Sequence, residues 1–235
     1  MPRRGPHLPE SSKPGPAAIG FRVKSGWAAA VLLEGPAASP HVLDRCQVDL
    51  SDPNVPQSRQ PYHAGTGIAQ TDAARIAQLA RGVERYAKRS VADLVTRYRF
   101  AGHSLRGVAI VVGSNIDPTR FANPHIRAHA FEGRLFRTVV QNAVRQRGLP
   151  CAVVVERNIY AAASRLLRMS EERLKRAARE LGRGVGGQWR AEEKTAAVAA
   201  WIVLANPRLR TVGLTRRTTR RASQEPTRRR GPTGG

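Results

Sequence analysis

Cysteine, aromatic side chains, acidic residues and long apolar runs are all scarce in this sequence, and each scarcity excludes something. The two cysteines, Cys46 and Cys151, sit apart in separate apolar runs, so no disulfide framework and no cysteine zinc motif can be drawn; buried free thiols in a reducing, cytoplasmic setting are expected. The opening MPRRGPHLPESSKPGPA lacks the apolar core of a secretory signal. No apolar run approaches the roughly 20 residues of a membrane helix. With 5% aromatic but 41% apolar residues, a core is affordable, but aliphatic side chains and alanine must fill most of it. Acids number 17 against 40 lysines and arginines, a formal charge of +23.

That imbalance points toward polyanions. A cationic surface raises the local concentration of nucleic acid, and the arginine fork matches phosphate oxygens in pairs. The charge is uneven along the chain. Residues 207–235 hold nine arginines and one acid, Glu225, a net +8, with too little apolar surface to fold alone. They read as a disordered basic tail in which Arg216, Arg217, Arg220 and Arg221 are candidate phosphate contacts. Residues 1–17, rich in Pro, Gly and Ser, read as a disordered arm. One α/β domain is expected over 18–206.

Within that domain the patterning changes repeatedly. AIGFRVKSG alternates, with Ile19, Phe21 and Val23 on one face and Gly20, Arg22 and Lys24 on the other, the period of a strand. Ser25-Gly26 turns the chain into WAAAVLLEG, and HVLDRCQVDL follows, so three strands form an antiparallel meander. The proline-containing stretch 51–70 reads as loop. A helix is expected from an N-cap at Thr71 to about Tyr98, with Ile76, Leu79, Val83, Ala87 and Leu94 on its apolar stripe. RGVAIVVGS and LPCAVVVER are short continuous apolar runs, as buried parallel strands are. The helix between them starts near Pro124 and stops at Gly148. Helices over about 157–169, 171–181 (capped by Ser170) and 191–205 complete the domain. GRGVGG at 182–187 joins two helices and follows no strand, so it reads as a flexible hinge and not as a phosphate loop. Trp189 beyond it reads as a cover for the core.

The order βββ-α-β-α-β-α, the opening hairpin IGFRVKSGWAAAVLL and the alanine-rich closing helix EEKTAAVAAWIVLA resemble the ribonuclease H-like superfamily, in particular its RuvC-type resolvases. The resemblance spans roughly residues 18–205 and implies a mixed five-stranded sheet with helices on its faces. It also implies a site: acids on the first strand, on the last helix and near the fourth strand or first helix, holding two Mg²⁺ or Mn²⁺ ions for phosphodiester hydrolysis. This sequence departs from that pattern. The first strand offers Arg22 or Lys24, and the last helix offers Lys194 and Thr195, with Glu192 and Glu193 adjacent. Cations at those positions repel a hard metal ion.

In open α/β sheets, ligands bind beyond the C-terminal ends of the parallel strands. Those ends deliver Lys24, Ser25, Ser114, Asn115, Asp117, Glu156, Arg157 and Asn158. Glu156, Glu132 and Asp117 are the candidate catalytic acids. Arg22, Lys24, Arg157 and Lys194 are candidate contacts to nucleic acid. Arg22 and Lys24 either line a phosphate groove or pair with Glu156, Glu192 or Glu193. His125, His129 and Glu132 fall on one helical face and are candidate metal ligands, which His63 can join only if its loop folds back. Three functions are compatible with these residues: a nucleic-acid-binding protein on a ribonuclease H-like scaffold without the two-metal cage, a divergent nuclease using the relocated acids, and a scaffold whose basic tail engages an acidic partner.

Overall fold

The computed structural model describes residues 15–206. Its elements run β1 (Pro16–Val23), β2 (Trp27–Glu34), β3 (His41–Asp49), β4 (His63–Gly65), β5 (Ile68–Ala69), α1 (Ala73–Phe100), β6 (Ser104–Val112), α2 (Pro124–Gln146), β7 (Cys151–Val155), α3 (Ile159–Leu167), α4 (Glu171–Glu180) and α5 (Ala191–Ala205). The N-terminal arm, apart from residues 15–17, and the whole basic tail, including Arg216, Arg217, Arg220 and Arg221, lie outside the described residues. Pro16 and Ala17 belong to β1, so the strand starts two residues earlier than the alternation predicts.

The main sheet has the order β3-β2-β1-β6-β7. The meander pairs antiparallel, β1 with β2 and β2 with β3, while β1-β6 and β6-β7 are parallel. β1 is therefore central, and Arg22 sits between Ala29 of β2 and Val111 of β6. Period-2 alternation sends Ala17, Ile19, Phe21 and Val23 into a core shared with α1 and α2. Ala18 and Gly20 face the other way, toward α3, α4 and α5.

α5 is the reason the second face is built from small residues. Every residue from Thr195 to Val203 is buried, so the helix is covered all round. It rests on β1, β2 and β6, close enough that a Cβ added to Gly20 would overlap the Ala196 carbonyl oxygen. No side chain fits between strand and helix there. Trp201 closes the outer side by donating its indole N–H to the Ala37 carbonyl at 2.7 Å.

Three local expectations are corrected. The N-cap of α1 is Asp72, whose carboxylate accepts the Arg75 N–H, one residue beyond Thr71, and the helix continues through Phe100. Residues 51–70 are not plain loop, since they contain a short 3-10 turn and the β4–β5 hairpin, closed through Gly67 at φ +75°. Tyr62 stacks on Phe131 of α2 with ring centroids 5.1 Å apart, which lays this hairpin against the helix. The glycine segment 182–187 is also tied down, because the Gly186 and Gln188 carbonyls accept from the Arg45 guanidinium. Trp189 donates to the Ala178 carbonyl at 2.8 Å and lies over Gly182.

Candidate functional site

The parallel strands end side by side: Val23 of β1, Val112 of β6 and Val155 of β7. Arg22 has a 5% exposed side chain, and its guanidinium meets Glu156, the first residue after β7, through two bonds. Nε donates to Oε1 at 2.9 Å and an Nη to Oε2 at 2.5 Å, while the other Nη donates to the Val23 carbonyl at 2.6 Å. This fork-on-fork geometry is the strongest form of the arginine–carboxylate contact. Lys24 pairs with Glu192 in the first turn of α5 at 3.5 Å. The helix's own first-turn N–H and then the Lys24 ammonium hold the Glu192 carboxyl below the usual range. Glu193 is taken by Arg45 of β3 at 2.7 Å. Arg22 and Lys24 therefore pair with Glu156 and Glu192, as the pairing alternative expects, and Glu193 goes to a cation of β3 that it did not name. A two-metal carboxylate cage does not fit: Mg²⁺ and Mn²⁺ need free carboxylate oxygens, and those of Glu156 already accept from a permanent guanidinium.

Beside the ion pair lies a cavity of about 360 Å³. Its walls include Arg22, Lys24 and Ser25 from the end of β1, Ser114 after β6, and His129, Arg134 and Arg137 from α2, with no carboxylate among the lining residues. Burial, then repulsion from Arg134, lowers the Arg137 pKa. Arg137 is oriented by donating to the Asn115 side-chain oxygen. Gly133 also lines the space, and nothing lies within 4 Å of where its Cβ would be. The rest of the wall is apolar, from Val23, Val112, Ile116, Phe121, Ile126 and Phe136, and of its cations Arg22 and Lys24 are already paired with acids.

On the same face of α2, three imidazoles converge. Asn123 caps the helix by accepting the His125 and Ile126 N–H groups, which fixes His125 in the first turn. His129 follows one turn later, and the β4 hairpin folds back to bring in His63. His63 Nε2 is 3.2 Å from His125 Nδ1, and His129 Nε2 is 3.2 Å from His125 Nε2. Glu132 lies behind them, its side chain fully buried, and Oε1 accepts from His63 Nδ1 at 2.7 Å. Oε2 has no hydrogen-bond partner, and His129 Nδ1 stands 3.8 Å away. Burial raises the Glu132 pKa, opposed by His63, the Tyr62 backbone and the nearby Ser25 hydroxyl. Burial, and then the other two histidines, lowers the pKa of His129. That direction favours the neutral His129 ring, which keeps a lone pair available.

Taken one set of ligand atoms per residue, the nitrogens of His63, His125 and His129 all lie within 4.8 Å of one another. This is the one group of three or more possible metal ligands among the described residues, and Glu132 stands behind it as a hydrogen-bond partner. Asp117 is brought into no such group. It caps the short turn Pro118–Arg120 and accepts from the Thr119 N–H and hydroxyl, contacts that hold its carboxyl below the usual range. Arg157 is exposed in the turn after β7, and Lys194 is half-buried in the first turn of α5. Arg134 and Arg137 escaped the sequence reading, although helical spacing from Ala130 places them on the stripe that lines the cavity.

A five-stranded mixed sheet with a central β1, an antiparallel meander on one side, parallel strands on the other and helices on both faces defines the ribonuclease H-like fold. The solved structure of Thermus thermophilus RuvC matches it at a TM-score of 0.50 and 12% identity, over 80% of this chain and 93% of that one. The same protein in complex with Holliday junction substrate matches at 0.50 and 12%, over 80% and 92%. The yeast mitochondrial Holliday junction resolvase Ydc2 gives a TM-score of 0.40 at 10% identity, over 80% of this chain and 77% of that one. No family model and no curated protein matches the sequence. At these identities the likeness is one of fold. No helix among the described residues is long and apolar enough to cross a membrane.

Proposed function

We propose that this chain is a nucleic-acid-binding protein that uses the ribonuclease H-like scaffold without the two-metal nuclease cage. The observation that carries the reading is the Arg22–Glu156 fork at the C-terminal edge of the sheet, where it borders the basic cavity. A guanidinium in that position occupies the carboxylate a metal ion would need, while Arg134 and Arg137 line the cavity beside it. The formal charge of +23 supports the same partner class, as does the arginine-rich tail. The likeness in fold to a protein solved with a Holliday junction substrate makes branched DNA the first ligand to try.

The test is binding of the full-length chain to a labelled four-way DNA junction, a linear duplex of the same length and a single-stranded RNA, each across a salt series. The variant Arg134→Ala/Arg137→Ala is measured beside the wild type. The proposal expects one of these nucleic acids to be preferred, and the preference to shrink in the variant. Equal binding of every polyanion, unchanged by the variant, overturns the role of the folded domain and leaves attachment to an acidic partner through the tail. Magnesium- or manganese-dependent cleavage that is lost in Glu156→Gln overturns the absence of the cage and restores the divergent nuclease.

A further inference from the structure

We infer that His63, His125 and His129 form a binding site for a single divalent transition-metal ion of the zinc type, with Glu132 orienting His63 from behind and an open coordination position on the side of the basic cavity. This goes beyond the nucleic-acid reading and does not depend on it.

The chemistry of the donors selects the ion. Three imidazoles suit zinc and its first-row neighbours, whereas magnesium and manganese take carboxylate oxygens. Three histidines plus an exchangeable fourth position is also the ligand count of reactive zinc centres, as opposed to closed structural ones. In a tetrahedral site with metal–nitrogen bonds of about 2.0–2.1 Å, ligand nitrogens are about 3.3 Å apart. The two short nitrogen pairs here, both 3.2 Å, already match that spacing. They use different ring nitrogens of His125, so one ion takes only one of the two. The complete set lies within 4.8 Å, and closing it requires ring rotations of His125 and His129, of which His129 is half exposed.

Glu132 supplies an independent observation. Its hydrogen bond from His63 Nδ1 leaves the His63 Nε2 lone pair facing the other two rings. This is the carboxylate–histidine–metal arrangement in which an outer carboxylate fixes the tautomer and strengthens the ligand. Its other oxygen is buried, with His129 Nδ1 3.8 Å away. Two of the three histidines lie on one helix, one turn apart, and the third arrives on a hairpin clamped by Tyr62–Phe131 stacking. His129 is also a wall of the cavity that holds Arg134, Arg137 and Lys24. An ion at this place would border a cavity that carries these cations.

The experiment uses the full-length, untagged protein, stripped with a chelator and titrated with zinc while bound metal is measured by elemental mass spectrometry. One zinc per chain is expected for the wild type. His125→Ala/His129→Ala should bind none at the same concentrations while keeping the wild-type circular dichroism spectrum. Glu132→Gln should keep the stoichiometry with affinity reduced about 10- to 100-fold. Cobalt(II) in place of zinc should give the visible bands of a four- or five-coordinate site, and inorganic phosphate should shift them. Absence of bound zinc in the wild type overturns the site, as does equal zinc uptake by the folded double-histidine variant. Cobalt bands that ignore phosphate overturn the open position, and an unchanged affinity in Glu132→Gln overturns the orienting carboxylate.

Discussion

Two carboxylates flank the C-terminal edge of the sheet, and their surroundings could hardly differ more. Glu156 is half exposed yet fully engaged, both oxygens accepting from the guanidinium of Arg22. Glu132 is completely buried yet half engaged, one oxygen on His63 and the other unpartnered. The first carboxylate faces a group that stays charged at any pH the protein survives. The second faces imidazoles, which exchange protons and bind metals near neutrality. Along one edge of one sheet, the identity of the nitrogen partner thus decides whether an acid is a fixed strut or part of a chemically responsive cluster.

The contrast is broken most sharply by removing the imidazoles. His125→Ala/His129→Ala should weaken zinc binding by at least about 100-fold, more than an outer carboxylate is worth. The same change should move metal-free stability by no more than about 1 kcal/mol in urea denaturation, because neither ring is fully buried. Glu156→Ala should do the reverse. It strands the buried Arg22 guanidinium and should cost about 2–3 kcal/mol of unfolding free energy, less than a fully buried pair because Glu156 is 45% exposed, with zinc affinity untouched. Replacing both partners, Arg22→Met with Glu156→Met, should recover most of that loss. An apolar pair of similar bulk leaves no stranded charge, and the double variant should melt within about 1 kcal/mol of the wild type.

Smaller effects sharpen the comparison. If Arg134 and Arg137 each meet a phosphate, Arg134→Ala/Arg137→Ala should make the plot of log binding constant against log salt shallower by about two and weaken binding roughly tenfold at moderate salt. Smallest is Gly133→Ala. With nothing near the added methyl, the helix should gain about 0.5–1 kcal/mol, read as a higher urea midpoint, and binding in the cavity should hardly change.

The sheet was legible in the sequence because its signals are local. Alternation at Ile19, Phe21 and Val23 and the continuous apolar runs of β6 and β7 each require only a few neighbouring residues. Element order then supplied the topology. The Arg22–Glu156 pair was legible as one of two alternatives, since a cation on a central strand must find an anion or line a groove. What the sequence hid was brought together over long distance. His63 joins His125 and His129 because Tyr62, in a stretch that reads as loop, stacks on Phe131, and nothing in either segment announces the other. Glu193 meets Arg45 across 148 positions, a partner that no local pattern names. Arg134 and Arg137 were missed for a different reason. Their helical register was visible, but in a chain with 40 basic residues, two more arginines carry little information.

The absence of any side chain between Gly20 and the Ala196 carbonyl has a kinetic consequence. Backbone-to-helix contact of this kind joins the first strand to the last helix, across 176 positions, and β1 also needs β6 as its parallel neighbour. The α5 face of the central strand and its β6 edge cannot be sealed by contacts formed early and locally. The rate at which the domain folds should therefore be set by a late closure of its two ends, with β1 and α5 meeting last. A chain cut between α4 and α5 would wait with its central strand open on one side, exposed to mispairing for as long as the missing helix stays away.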